Sequence, residues 1–437
     1  MTSANKPEFK NDTAWNKLFD KYAILKGLNQ DGFYEIAASE IREFREPRLM
    51  CKFDHENNLP AIFKDNGLSI LPLSRSKYII GQFDIFEKVE YKKQKPIMVS
   101  IPKHIETVDP KNLYSESSAL HCAYVSGMIH YLLGEDYAEN LGNVFPTVSG
   151  RMGSGDFSFQ VRSQQGIYRN IDVNGSQIEI DGGYESLQNF AIVEAKKESV
   201  TDFNVRQLFY PYRVWQNKIN KQVKPIFFTF SNDIFSFFIY EFTDENVFNS
   251  IQLIEQVNFK VSHEKITVHD LREIHGKVEI IAEPEVPFPQ ADSFQRVIDL
   301  LGLLVNESLH KDFLTENFNF EERQTNYYTD VGIYLGLIEK GKDADNRIYF
   351  LLTDLGRDIM SLPYKEKYLA IASQILKHKI FHKVFHEFFM KQEFDRAKVI
   401  EIMQECGVYN VQSYSTFNRR ASTVISYVKW IFSLVED

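Results

Sequence analysis

Two short segments set the predicted architecture: Gln177-Ile-Glu-Ile-Asp-Gly-Gly-Tyr-Glu185 and Ala191-Ile-Val-Glu-Ala-Lys196. Each has the length and apolar content of a β-strand, and each ends in charged residues. Successive side chains on a strand point to opposite faces, so Glu194 and Lys196 share one face of the second strand. Asp181 lies near the end of the first strand. The pattern therefore places a carboxylate and an ammonium group together, with a second carboxylate on the neighbouring strand.

The Gly182-Gly183 pair predicts a tight reversal between the two strands, because glycine adopts the backbone angles that such turns require. That reversal would bring Asp181 within reach of Glu194. A hard divalent cation takes oxygen ligands, usually one or two carboxylates with water and substrate phosphate. Two strand-end acids beside a lysine therefore predict a Mg²⁺ site.

At these residues the chain resembles the PD-(D/E)xK nuclease superfamily, with Asp181 as the first acid and Glu194-Ala195-Lys196 as the tripeptide. Ile180 stands where the motif has proline. The resemblance implies that Asp181 and Glu194 hold the metal with the Ala195 carbonyl. It also implies that Lys196 orients the attacking water and offsets charge developing on the phosphate. A solvated strand face is the ordinary alternative for an acid-x-Lys tripeptide, but charge that interrupts an apolar strand favours a functional site.

The segment after the lysine strand is Asp202-Phe-Asn-Val-Arg-Gln-Leu-Phe-Tyr-Pro-Tyr-Arg-Val-Trp215, which looks like the helix that flanks the site in this superfamily. Several restriction endonucleases resemble the chain through this segment, and Gln207, Tyr210 and Arg213 are the matching positions. Arg206 and Arg213 would suit phosphate oxygens, because a guanidinium group presents a rigid fork of donors. The alternative is a helix with aromatic core contacts and two solvated arginines.

Two upstream segments supply further candidates. Residues 114–133 have helical apolar spacing, with Ser115 as the expected N-cap. Glu116 then lies in the first turn, either as a third metal-site acid or as a partner of the helix dipole. A glycine-rich stretch with Arg151 precedes the strand Phe157 to Val161, and Arg162 follows it; both arginines would touch DNA or belong to a surface hairpin.

Composition limits the class of protein. At 437 residues the chain should form two or three domains. Its hydrophobic content is 43% and its N-terminus lacks a signal segment, so a cytoplasmic protein without membrane spans is expected. Three distant cysteines argue against a disulfide framework and a zinc knuckle. The net charge of −10 does not forbid DNA binding, because local patches decide phosphate contacts.

The expected organisation has four parts. Residues 1–100 form an N-terminal α+β unit that could contact DNA, with short strands predicted at 49–53, 60–64, 67–73 and 78–83. A nuclease core covers residues 101–283 and closes with two aromatic strands joined by Ser231-Asn-Asp. A proline-rich linker at 284–290 separates it from a helical C-terminal domain at 291–437.

The C-terminal domain resembles a winged helix. Residues 326–341 predict a helix ended by glycine, and a hairpin with a polar tip follows at 342–353. The last helix, over 414–430, carries Asn418, Arg419 and Arg420 in its first turns. These side chains would face bases or phosphates in a major groove, or would be the solvated face of a structural helix.

Together these features predict an α/β (α+β) protein with a restriction-endonuclease-like mixed sheet flanked by helices. The expected activity is Mg²⁺-dependent, sequence-specific cleavage of double-stranded DNA by a type II-like restriction endonuclease. Its expected partners are duplex DNA and a cognate DNA methyltransferase, and a homodimer is a possible assembly. The alternatives are a modification-directed or repair nuclease, and a winged-helix DNA-binding regulator whose nuclease fold is inert.

Overall fold

The computed structural model describes residues 10–92, 94–110, 112–113, 115–134, 143–261, 264–317 and 322–435. It is a mixed α/β structure with one large mixed sheet and a helical C-terminal region. Within those residues, no helix combines the length and the apolarity that crossing a membrane requires.

The N-terminal unit packs short helices against a three-stranded antiparallel sheet in the order β1-β3-β2. Its elements are α1 (Lys10–Lys21), α2 (Ile24–Asp31), β1 (Phe33–Ala37), α3 (Ala38–Arg42), α4 (Pro47–Cys51), a 3₁₀ turn (Glu56–Asn58), α5 (Ala61–Asp65), β2 (Ser69–Pro72) and β3 (Lys77–Gly81). The predicted strands at 67–73 and 78–83 are confirmed as β2 and β3. Those predicted at 49–53 and 60–64 are wrong, because Pro47 and Pro60 start the helical turns α4 and α5.

The middle of the chain forms a seven-stranded sheet, the central sheet, in the order β5-β14-β13-β12-β10-β9-β6. Its region comprises β4 (Phe86–Lys88), β5 (Ile97–Val99), α6 (Glu116–Val125), α7 (Met128–Leu132), β6 (Phe145–Gly153), β7 (Asp156–Arg162), β8 (Tyr168–Asn174), β9 (Gln177–Glu185), β10 (Asn189–Lys196), β11 (Asp202–Asn204), α8 (Arg206–Gln216), β12 (Gln222–Ser231), β13 (Ile234–Phe242), a 3₁₀ turn (Phe248–Ser250) and β14 (Ile251–Val261). β10 pairs with β12 in parallel, as does β14 with β5, and the other neighbours are antiparallel.

Strand β12, inside the central sheet, is buried on both faces. Phe227 belongs to the core that contains α8, whereas its neighbour Phe228 belongs to the core that contains α6 and α7. Neither residue is exposed. A strand buried on both sides needs a continuous apolar sequence, which explains the aromatic run of β12. The predicted turn between the aromatic strands is confirmed, with positive φ at Asn232 and Asp233.

The helix predicted over 114–133 is interrupted. α6 ends at Val125 and α7 begins at Met128, because Gly127 between them has φ +83°. Ser126 stabilises the break by donating its hydroxyl to the Cys122 carbonyl at 2.6 Å. A glycine with a positive φ ends the helical path, and the second helix starts in a new direction.

The C-terminal region surrounds one large apolar core that runs from Ile266 to Leu434. Its elements are α9 (Val268–Lys277), α10 (Phe294–Leu303), β15 (Leu309–His310), α11 (Lys311–Asn317), α12 (Glu322–Tyr334), β16 (Ile338–Lys342), β17 (Ile348–Leu352), α13 (Asp354–Met360), α14 (Tyr364–Leu376), α15 (Lys379–Lys391), α16 (Arg396–Cys406) and α17 (Tyr414–Ser433). Phe288, in the segment predicted as a linker, is 2% exposed and stacks on Phe381. Residues 266–290 thus pack with this core.

The helix predicted over 326–341 ends earlier, at Tyr334. Gly336 has φ +70°, and the main-chain N–H of Leu337 donates to the Gly332 carbonyl at 2.8 Å. Gly341 lies instead inside strand β16, against the ring of Tyr349. A hairpin is present, but its first strand, β16, starts at Ile338 inside the predicted helix, and only the tip and β17 fall in the predicted range of 342–353. With β15 the two strands form a three-stranded sheet in the order β15-β17-β16.

Candidate active site

The candidate site lies where β9 and β10 separate. Their ladder runs from Phe190 opposite Glu185 to Val193 opposite Gly182. Beyond that pair the main-chain ladder stops, and Asp181 Oδ2 accepts the N–H of Ala195 at 2.8 Å. β9 continues beside β6 while β10 continues beside β12. The diverging strands therefore hold Asp181 beside the Glu194-Ala195-Lys196 tripeptide.

The glycine pair acts differently from its prediction. Gly182 and Gly183 lie inside β9, and the reversal to β10 is made by residues 186–188. A Cβ atom on Gly183 would lie 2.9 Å from the Val148 carbonyl oxygen of β6. The pair therefore permits close approach of a neighbouring strand rather than a turn, and the predicted reversal at Gly182-Gly183 is wrong.

Glu194 and Lys196 form a buried ion pair. Lys196 Nζ lies 2.6 Å from Glu194 Oε1, and their side chains are only 12% and 9% exposed, respectively. The Gln207 amide, on the first turn of α8, donates to the same carboxylate oxygen. Burial raises the pKa of Glu194 to about 7, although the charge of Lys196 opposes that effect. The site therefore holds an acid that titrates near neutral pH.

Further carboxyl groups surround Lys196. Burial also raises the pKa of Asp181 and the pKa of Glu116, and in both cases the Lys196 charge opposes the rise. Burial alone would lower the pKa of Lys196, but the charges of Glu194, Asp54 and Glu116 outweigh it and raise that pKa. Lys196 therefore stays protonated, with several carboxyl groups around it.

Asp54 was not among the residues predicted from the sequence. It belongs to the N-terminal unit, and its charge acts on both Glu194 and Lys196. The sequence around Asp54 contains no motif, so its position near Glu194 and Lys196 is seen only when the N-terminal unit packs against the central sheet. Glu116 was predicted as a third acid or a dipole partner, and it contributes its charge to the same site.

The donor set suits a hard cation. Asp181 and Glu194 are carboxylates that interact electrostatically, and the Ala195 carbonyl lies between the tripeptide's charged residues. Across the described ranges, no three His, Cys, Asp or Glu side chains converge closely enough to form a metal cage. Mg²⁺ usually keeps several waters and binds through only one or two protein carboxylates. Asp181 and Glu194 therefore meet its needs without such a cage.

The predicted DNA-contacting residues of α8 have different surroundings. Gln207 lies at the site, and the half-buried Arg206 acts on Asp54 through its charge. Tyr210 is fully buried and donates its hydroxyl to the Pro72 carbonyl at 3.0 Å. Arg213 is 7% exposed and donates to the carbonyls of Glu245 and Ser158. The structure thus places these last two side chains inside the protein.

The other predicted DNA contacts lie elsewhere. Arg151 is exposed on β6 and pairs with Glu179 at 3.3 Å, and Arg162 pairs with Asp84 at 2.9 Å. At the start of α17, Asn418 and Arg419 are exposed, and the Asn418 side chain accepts a hydrogen bond from Arg396. Arg420 is only 9% exposed, and burial lowers its pKa to about 10. It therefore faces the helical core more than solvent.

Comparison with known proteins gives three matches to family models, each described as a domain of unknown function: DUF6996 over residues 12–80, DUF6997 over residues 81–260 and DUF7226 over residues 296–436. No curated protein and no solved structure matches the chain. The candidate site combines residues from the first two matched segments.

Proposed function

We propose that this protein is a divalent-cation-dependent endonuclease that hydrolyses phosphodiester bonds in double-stranded DNA, on a restriction-endonuclease-like fold. One observation carries the proposal: the buried Glu194–Lys196 ion pair lies where β9 and β10 diverge, and the Asp181 carboxylate accepts a hydrogen bond from the main-chain N–H of Ala195, the residue between Glu194 and Lys196. Burial raises the pKa of Glu194, Asp181 and Glu116 together, so keeping these carboxyl groups ionised in the fold costs free energy. A functional site accounts for that cost.

Each residue has a role in this proposal. Asp181, Glu194 and the Ala195 carbonyl would hold Mg²⁺, which when bound would polarise the scissile phosphate and activate a water molecule. Lys196 stays protonated, so its ammonium group can orient the attacking water and offset negative charge on the phosphate. Gln207 fixes the orientation of the Glu194 carboxylate through its amide hydrogen bond.

The C-terminal domain is proposed as the part that reads DNA. Its elements follow the order α10, β15, α11, α12, β16, β17, with one sheet in the order β15-β17-β16. This order is typical of a winged helix, in which α12 would be the recognition helix and the β16–β17 hairpin the wing. Lys340 and Lys342 are exposed on the wing, where they could contact phosphates.

We further propose that the cleavage is of the type II restriction kind. Such an enzyme would act with a cognate DNA methyltransferase that protects the host's own sites. Because one catalytic site cuts one strand, a homodimer would supply the second site for duplex cleavage. Digestion of unmodified and methylated DNA in parallel distinguishes this activity from that of a modification-directed nuclease.

The test is Mg²⁺-dependent cleavage of plasmid DNA by the full chain. Asp181→Ala and Glu194→Ala should each abolish cleavage while the circular dichroism spectrum stays that of the wild type. Glu179→Ala is the matched control, because Glu179 lies on the same strand as Asp181 but pairs with Arg151 at the surface. Near-normal cutting by either site variant, or no cutting by the wild type on any duplex, contradicts the proposal.

A further inference from the structure

The loop that carries Asp54 is fixed against β11 of the central region. The main-chain N–H of Asn204 donates to the Asp54 carbonyl at 2.8 Å, and its side-chain amide donates to the Phe53 carbonyl at 3.0 Å. Asp202 accepts the main-chain N–H of Glu56 at 2.8 Å. Asn204 and Asp202 are 3% and 7% exposed. Buried hydrogen bonds of this kind hold the loop in one position relative to β10.

The carboxylate of Asp54 is incompletely paired. Its Oδ2 lies 3.7 Å from Lys52 Nζ, and the Lys52 side chain is 53% exposed. Its Oδ1 is buried and has no hydrogen-bond partner in the part of the chain that the structure describes. Burial would raise the pKa of Asp54, but the charges of Lys196 and Lys52 outweigh burial and lower it. A buried ionised oxygen without a contacting partner costs free energy, so a ligand bound directly to Oδ1 would relieve that cost.

Gln207 supplies a second, independent observation at this site. The residue is 8% exposed, and its amide N–H₂ donates to Glu194. Because Glu194 accepts that bond, the amide oxygen must point the other way. That oxygen, Oε1, is buried and also lacks a hydrogen-bond partner among the described residues. Two unpaired oxygen acceptors, one from Asp54 and one from Gln207, thus accompany the same ion pair.

We propose that Asp54 is a cation-binding carboxylate of the active site, supplied to the central sheet by the N-terminal unit. Its Oδ1 and the Gln207 Oε1 would take a hydrated hard divalent cation such as Mg²⁺, for which oxygen is the preferred ligand. This inference rests on the proposed nuclease function. It gives the N-terminal unit a chemical role, because the loop between Phe53 and Glu56 then supplies one of the cation-binding groups.

The experiment titrates Mn²⁺ alone into the full-length protein by calorimetry, without DNA. Asp54→Asn keeps the shape of the side chain but removes its charge, and Asp54→Glu keeps the charge but moves the oxygens by one methylene. Both should weaken Mn²⁺ binding about tenfold or more, as loss of a metal-site partner does. Asp65→Asn, an exposed acid in the same unit, is the matched control and should bind as the wild type does. Urea unfolding checks that each variant folds.

The outcomes separate the two proposals. If the wild type binds Mn²⁺, Glu194→Gln binds it much more weakly, and both Asp54 variants bind as the wild type does, the role of Asp54 is overturned and the nuclease site stands. The role of Asp54 is also overturned if Asp54→Glu binds Mn²⁺ with wild-type affinity while Asp54→Asn does not, because Asp54 would then act only through its charge. If the wild type binds no Mn²⁺, or if Glu194→Gln binds it unchanged, the proposed function itself fails.

Discussion

Cation binding at the site should compete with protons. Burial raises the pKa of Glu194 to about 7, and a metal ion binds only the ionised carboxylate. A group with that pKa is ionised in about one molecule in eleven at pH 6 and in about ten in eleven at pH 8. The apparent affinity for Mg²⁺ or Mn²⁺ should therefore rise about tenfold over this range. At pH 7, binding should release about half a proton from Glu194.

Calorimetry measures both quantities. Mn²⁺ is titrated at pH 6, 7 and 8, each in two buffers of different protonation enthalpy, which gives the number of protons released. Glu194→Gln cannot titrate, so its residual binding should lose this part of the pH dependence. Burial also raises the pKa values of Asp181 and Glu116, which release protons in both proteins. The number of protons released by the wild type minus the number released by Glu194→Gln therefore gives the contribution of Glu194. Asp65→Asn, an exposed acid of the N-terminal unit, is the control and should behave as the wild type.

One result would refute this reasoning directly. If the wild type binds Mn²⁺ with the same affinity from pH 6 to pH 8 and releases no more protons than Glu194→Gln, then Glu194 is not the group that holds the cation. The raised pKa would in that case belong to a buried ion pair without a metal role. The same titration with Mg²⁺ would show whether the conclusion depends on the metal chosen.

Three further predictions concern other parts of the molecule. Lys196→Ala should cut DNA about 100-fold more slowly or worse, yet bind it in Ca²⁺ within a few-fold of wild type; equal losses of both would indicate a phosphate anchor. Tyr210→Phe should cost about 1 kcal/mol in urea unfolding, because the bond to Pro72 is lost, and should leave DNA affinity unchanged. Burial raises the pKa of Asp299 from 3.8 to about 7, so the folded state holds its proton longer and wild-type stability should fall as pH rises between these values. Asp299→Asn should remove this part of the dependence of stability on pH. If the unfolding midpoints of Asp299→Asn and the wild type change equally among pH 4, 5 and 8, the prediction is contradicted.

Local patterns were sufficient for part of the fold. The aromatic strands β12 and β13 and their Ser231-Asn-Asp turn follow from apolar runs and a turn signal that are close in sequence. Asp181, Glu194 and Lys196 could be predicted together for the same reason, because they lie on consecutive strands. The polar tip and the second strand, β17, of the C-terminal hairpin were also visible, whereas most of β16 had been assigned to a helix.

Glycines were the main source of local errors. Gly182 and Gly183 were assigned to a turn, and Gly341 was assigned to a helix end, but all three lie in strands against bulky neighbours. Glycine serves both for positive φ and for close approach, and the sequence pattern is the same in the two cases. Only the neighbouring side chains, Val148 for Gly183 and Tyr349 for Gly341, distinguish them.

Asp54 shows why the complete site lay beyond the sequence. Its position depends on Asn204 and Asp202, which are far from it along the chain and whose side chains are polar residues of an ordinary strand. No spacing rule connects them, because the contact forms only when the N-terminal unit packs against the central region. The same packing buries Asp54 Oδ1 beside a lysine that is already shared by Glu194 and Glu116. Burial of several carboxyl groups makes the metal-free site costly, so a divalent cation should stabilise the junction of the two units as well as the reaction.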